Sequence, residues 1–300
     1  MKKWKCVLSL PGDNLYLREQ AAAAKATANR LGVELQVLIS QNDPVLQSQQ
    51  LLEIVQSRSE LRPDGILLEP VSMTGLPRVA EAAVAAGIGW VLSNAQADYI
   101  AAIRKNAKVP VFMVSQDHVE VGRIQGRQIG AILPNGGSVL HLRGPSANNL
   151  ASKRNEGVES TKPRNIELKT LKIEWTAESA YKAVCSWLSL PTVRAQDTQL
   201  ILAQNADFIH GAKKAFQTNT LEPDRAKWLT LPCTAVGIPS QIKPLVDQRF
   251  LRAAVVTSLT LDVALEMLVQ AMKAGSQPLE QTYVDARSYP PLEDLAQNQP

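Results

Sequence analysis

In 300 residues there are only three cysteines and three histidines, and no long apolar run. Cys6, Cys185 and Cys233 are an odd number without close spacing, which argues against a disulfide framework and against a zinc site. Free thiols suit a reducing compartment without proving one. No stretch approaches the roughly 20 apolar residues of a membrane span. No secretory leader is expected in the opening residues. After Lys2-Lys3, the run Trp4-Lys5-Cys6-Val7-Leu8-Ser9-Leu10 is broken by Pro11-Gly12-Asp13, and it has no small-residue cleavage site. His118, His141 and His210 have no ligand spacing and no neighbouring nucleophile, and Gly-x-Ser-x-Gly, Walker and dinucleotide fingerprints are absent. The expectation is therefore no enzyme, no cofactor and no metal site. The net charge is only +4, and Lys and Arg cluster only at Met1–Lys5 and Ala212–Lys214; a solvated surface is expected rather than a nucleic-acid-binding face.

What is present is a regular alternation. A hydrophobic content of 45% with 20% charge supports well-formed cores, and the length suits two α/β lobes. Strands are expected at Lys5–Leu10, Glu34–Ser40, Ile66–Leu68, Gly89–Leu92 and Val109–Val114. Helices are expected at Tyr16–Leu31, from Pro44 to about Arg58, and at Leu76–Ala86. The pattern restarts after Ser115 with Asp117 as a helix cap. Strands then follow at Ser138–Leu142, Ile166–Ile173, Thr198–Ala203, Trp228–Leu231, Ala253–Val256 and Thr282–Val284, with helices between them. Ala296–Pro300 reads as a frayed tail. Short apolar strands separated by helices predict parallel sheets covered on both faces.

Several segments, in order, carry a family likeness. They are Gln41-Asn42-Asp43-Pro44, Arg62-Pro63-Asp64-Gly65-Ile66-Leu67-Leu68, Ala82 to Val91, Ser115-Gln116-Asp117, Leu142-Arg143-Gly144, Arg154-Asn155-Glu156-Gly157 and Leu202 to Asp207. Together they resemble the type I periplasmic sugar-binding proteins, which are related to the effector domains of lac-repressor-type regulators. The resemblance implies two doubly wound parallel-sheet lobes with a three-segment hinge. It divides the chain into 1–115 plus 259–283 and 116–258 plus 284–300. It also implies a periplasmic location if a leader has been removed, or a cytoplasmic one if the sequence is full length.

In open α/β sheets ligands sit beyond the carboxyl ends of the strands, so the residues that follow each strand are the candidates. Asn14 and Tyr16 follow the first strand. The Tyr16 ring and hydroxyl suit a sugar face, or the ring staples a helix start. Glu69 follows the third strand, and Ser93 and Asn94 the fourth, where the resembled family carries an Asp-Arg pair. Asp117 is either a contact or only a cap. In the second lobe the candidates are Asn148 and Ser152, the latter standing where the family carries an Arg. Trp175 is an aromatic wall or a packed loop residue. Asn205 and Asp207 flank Ala206, where the family has Asp. Cys233 lies after the strand expected at Trp228–Leu231, where the family has another Asp, and Ser258 completes the set.

The losses at Ser152, Ala206 and Cys233 remove charge-assisted bonds worth about 1.5–3 kcal/mol each. The expected function is a solute-binding protein that closes two lobes on a small polar ligand, a carbohydrate or derivative, for transport or sensing. A membrane permease or sensor is the expected partner if the chain is exported. Two alternatives stay open: a cytoplasmic sensor or regulator partner without a DNA-binding headpiece, and an interaction protein with a degenerate cleft. No apolar stripe decides an oligomeric state.

Overall fold

The apolar runs become strands buried on both faces, and capped helices return the chain between them. The computed structural model describes residues 3–145 and 149–297. In chain order the elements begin with β1 (Lys5–Leu10), α1 (Leu15–Leu31), β2 (Glu34–Ile39), α2 (Pro44–Gln56), β3 (Gly65–Leu68), α3 (Leu76–Ala85), β4 (Gly89–Ser93), α4 (Tyr99–Arg104) and β5 (Val111–Gln116). They continue with α5 (His118–Ile132), β6 (Gly137–Arg143), α6 (Asn149–Thr161), β7 (Ile166–Lys172), α7 (Ala177–Leu188), β8 (Leu200–Ala203), α8 (Ala206–Asn219) and α9 (Asp224–Thr230). The last are β9 (Cys233–Gly237), α10 (Pro239–Asp247), β10 (Ala253–Thr257), α11 (Leu261–Ala274), β11 (Gln281–Val284), β12 (Ala286–Tyr289) and α12 (Leu292–Gln297). Two compact units result: Met1–Gln116 with Leu259–Val284, and Asp117–Ser258 with Asp285–Pro300.

In the first unit the strand order is β11-β5-β4-β3-β1-β2, and every pairing is parallel. Alternate residues serve opposite faces. Cys6, Leu8 and Leu10 of β1 pack with residues of α1 and α11. Val7 joins Ile66, Leu68, Trp90 and the apolar faces of α2, α3 and α4. In the second unit the order is β12-β10-β9-β8-β6-β7, parallel except for β12, which runs antiparallel to β10 at the edge. One face is packed by α7, α8, α9 and α10 around Phe208, Phe216 and Trp228, the other by α5 and α6 around Ile129 and Val158. Helices α5 and α6 pack backbone to backbone. A Cβ on Gly122 would lie 2.0 Å from the Arg154 carbonyl oxygen, and one on Gly157 would lie 2.0 Å from that of Val119.

The helix starts are built by side chains that accept from otherwise unpaired N–H groups. Asn14 caps α1, Asp43 with Pro44 caps α2, Asp117 caps α5, Thr176 caps α7 and Asn205 caps α8. One expected strand is a helix instead. Trp228–Leu231 has β-forming residues, but Trp228 lies in α9, its ring stacked on Phe216 at 4.9 Å and edge-on to Trp187 at 5.4 Å. Aromatic packing overrides local propensity there, and the strand begins only after Pro232. Helix α4, strand β12 and helix α12 were not expected. Ala296, assigned to the tail, belongs to α12, whose Leu295 is buried.

Candidate functional site

Each sheet has a switch point, where neighbouring strands send their following helices to opposite faces. In the first unit it lies between β1, followed by α1 on one face, and β3, followed by α3 on the other. In the second it lies between β6, followed by α6, and β8, followed by α8. Loops diverging there leave a crevice beyond the strand ends, the usual ligand position in such sheets.

A buried glutamine ties each switch point. Gln47 Nε2 donates to Ser9 Oγ (3.1 Å) and to the Glu69 carbonyl (3.0 Å), while its Oε1 accepts from the Val71 N–H (2.9 Å). Gln204 Oε1 accepts from the Gly144 N–H (3.0 Å), and its Nε2 donates to the Ala151 carbonyl (3.0 Å). The buried Arg154 guanidinium donates to the Gln204 carbonyl at 2.7 Å. Sequence reasoning missed both glutamines as organisers.

At the rim of the first unit, Asn94 Nδ2 donates to Glu69 Oε1 at 3.3 Å. Asn94 holds a left-handed backbone (φ 53°) just past β4. Glu69 Oε2 and Asn94 Oδ1 are buried, with no hydrogen-bond partner among the described residues. Burial pushes the Glu69 carboxyl up from 4.5 to about 7, against a smaller lowering by the Asn94 hydrogen bond. Ser93 is fully buried, its hydroxyl 2.7 Å from Thr260 Oγ1. Thr260 also takes a bond from Gln20 Nε2 (3.2 Å), which donates to the Tyr16 hydroxyl at 2.6 Å. Tyr16 is half-buried against the core of its unit, and Asn14 is exposed, with its Oδ1 accepting from the Leu17 N–H at 3.0 Å. The structure therefore brings Glu69, Asn94, Ser93 and Tyr16 into hydrogen-bonded pairs and chains, with Gln20 and Thr260 as links the sequence did not suggest.

At the rim of the second unit, Arg143 ends β6 and its Nη2 donates to Ser152 Oγ on α6 at 3.1 Å. Arg143 Nε is buried and has no partner among the described residues. Asn205 Oδ1 accepts from the Phe208 N–H at 3.0 Å, and Asp207 is exposed in the first turn of α8. Trp175 stacks on Phe208 at 5.5 Å, 16° from parallel. A Cβ on Gly144 would lie 2.4 Å from the Trp175 ring, so the indole lies close beside the loop that follows β6. Asp117 caps α5 through the Glu120 N–H at 3.0 Å. Ser258 is exposed, and its N–H donates to the Asp285 carbonyl at 3.1 Å. Asn148 lies outside the described residues.

Cys233 requires a correction. With Trp228 in a helix, Cys233 opens β9 instead of following a strand, and so sits at the amino end of the sheet. It is 1% exposed, and burial pushes its thiol up to about 12. The position beyond this strand's carboxyl end is Ile238-Pro239. Among the described residues no group of His, Cys, Asp or Glu is arranged to hold a metal, and no helix is long and apolar enough to cross a membrane.

Two doubly wound sheets with hydrogen-bonding groups gathered past the strand ends, at and beside their switch points, define a two-lobe ligand-binding protein of the α/β class. Residues 7–276 match the family described as periplasmic binding protein domain, and the chain belongs to that family. Its fold is the type I periplasmic binding protein fold. Similar solved structures include a galactofuranose binding protein (19% identity, 99% of this chain and 98% of that one, TM-score 0.77). Another is an ABC transporter solute binding protein from Actinobacillus succinogenes with bound D-allose (17% identity, 98% and 100%, TM-score 0.79). A third, from Bacillus halodurans, holds myo-inositol (16% identity, 98% and 98%, TM-score 0.77). No curated protein matches the chain.

Proposed function

We propose that this chain is a solute-binding protein for a small carbohydrate or carbohydrate derivative, serving uptake or sensing rather than catalysis. One observation carries the reading. Glu69 Oε2 and Asn94 Oδ1 are buried and have no hydrogen-bond partner among the described residues, in a rim past the β3 and β4 strand ends beside the switch point. Leaving two polar oxygens buried and unpaired costs about 1–3 kcal/mol each, and polyol hydroxyls, which both donate and accept, would relieve it. Family membership, and neighbours whose names record galactofuranose, D-allose and myo-inositol, point to the same ligand class. Asn14, Tyr16, Asp117, Trp175, Asn205, Asp207 and Ser258 complete the proposed contact set, and Ser93 and Ser152 support it. A periplasmic location and a permease or sensor as partner belong to the same proposal.

The test is native mass spectrometry of freshly purified protein beside a thermal-shift panel of sugars, polyols and nucleosides. A ligand that raises Tm, and raises it much less in Asn94→Ala, supports the reading. A panel that leaves Tm unmoved refutes it. Closure on the ligand is part of the proposal, and a radius of gyration unchanged by a saturating ligand would refute that part.

A further inference from the structure

Ser152 carries no charge. The second unit supplies one from another element. Residues Val139, His141 and Arg143 share one face of β6 by strand alternation, and Val139 packs in the core beneath α5 and α6. Arg143, last on that row, directs its Nη2 to the Ser152 hydroxyl of α6 at 3.1 Å. It does so at the carboxyl end of a switch-point strand, next to Gly144, whose N–H is fixed by Gln204.

The electrostatics of this guanidinium are unusual. Among the described residues, no carboxylate lies within ion-pairing distance of Arg143; the exposed and half-buried ion pairs of the protein involve other residues. Its Nε–H is buried, with no partner among the described residues. Its charge is felt next door, where it adds to burial in lowering the His141 imidazole to about 3. A buried or half-buried cation is normally paired, and Arg presents a planar fork that matches a carboxylate with two parallel hydrogen bonds. Ser152 holds one arm of the fork, which limits the rotamers and pre-organises the rest.

We propose that Arg143 is a specificity-determining ligand contact and that the ligand is a sugar acid, a polyol bearing a carboxylate. The inference rests on the solute-binding reading above and narrows it. Ser152 then acts as a positioning residue: its hydroxyl steers the guanidinium. A neutral hexose would leave the charge without a counter-ion, whereas a carboxylate supplies both the charge and the two acceptors.

Matched pairs test this by calorimetry at low salt: D-galactose against D-galacturonate, D-glucose against D-glucuronate and D-gluconate, with acetate alone as a control for the bare carboxylate. The acid of at least one pair should bind ten-fold or more tighter than its neutral partner, and its affinity should fall as sodium chloride is raised. Arg143→Gln should erase that preference, a loss of about ten-fold or more for the acid relative to its neutral partner. Arg143→Lys, which keeps the charge without the fork, should keep part of it. Ser152→Ala should weaken acid binding several-fold with Arg143 still present. Neutral sugars binding as well as or better than their acids, or an acid preference untouched by Arg143→Gln, overturns the inference and leaves the solute-binding reading standing. Silence from every sugar, neutral or acidic, overturns both.

Discussion

Replacing Glu69 with Gln should make the protein more stable at alkaline pH and leave it nearly unchanged in acid. The carboxyl is buried at the end of β3, with one oxygen held by Asn94 at 3.3 Å and the other without a partner among the described residues. Its pKa rises from 4.5 in the unfolded chain to about 7 in the folded protein, chiefly because burial disfavours the carboxylate. The folded state therefore holds this proton more tightly. The stabilisation is complete below pH 4.5 and is lost as pH rises through about 7. The interval between the two values corresponds to about 3 kcal/mol. Glu69→Gln has no proton to lose, so the variant should match the native protein within about 1 kcal/mol at pH 4.5 and exceed it by about 3 kcal/mol at pH 8. Urea denaturation followed by circular dichroism at several pH values reads this as a difference in midpoints. The buried imidazoles of His118 and His141, lowered to about 2 and about 3, cost stability as pH falls below the ordinary 6.5. They do so equally in both proteins and cancel in the difference. A difference that does not change with pH, or a variant weaker than the native protein at pH 8, would refute the reasoning.

Two further outcomes are expected. Gly122→Ala should destabilise the second unit by about 3 kcal/mol, because its Cβ would lie 2.0 Å from a backbone oxygen that cannot move alone. Gly130→Ala, whose Cβ would lie 3.2 Å from Pro163 Cγ, should stay within about 1 kcal/mol in the same urea assay, and equal effects would show that α5 and α6 separate freely. Asn205→Ala should cost about 1 kcal/mol through loss of the α8 cap, while Asn205→Asp keeps the acceptor and the stability. If thermal melts find both variants equally stable, the cap contributes nothing, and Asn205 is free to act on ligand alone.

The alternation of apolar strands and capped helices was legible because it is local. Strand parity, Asp43-Pro44 and Asp117 each act within a few residues of themselves, and short runs such as Ile66-Leu67-Leu68 can be satisfied only when buried on both faces. Trp228 was misread for the opposite reason: its partners, Trp187 and Phe216, are distant in sequence, and their stacking makes a helix of a β-prone run. That single misreading moved Cys233 from the carboxyl end of a sheet to its amino end.

The sequence by itself determined the family likeness, the two parallel sheets and the candidates that follow each strand. It also showed that Ser152 carries no charge. Asn14, Asp117 and Asn205 bond within three residues of themselves, but only the tertiary structure decided what joins the strand ends, because those bonds span long stretches of chain. Gln47 reaches Ser9 and Glu69, Gln204 reaches Gly144 and Ala151, and Thr260 returns from the far end of the chain to meet Ser93 and Gln20. Arg143, at the end of β6, likewise meets the Ser152 hydroxyl of α6. A side chain's charge is written in the sequence, but its position depends on the strand that ends beneath it and the helix that crosses above.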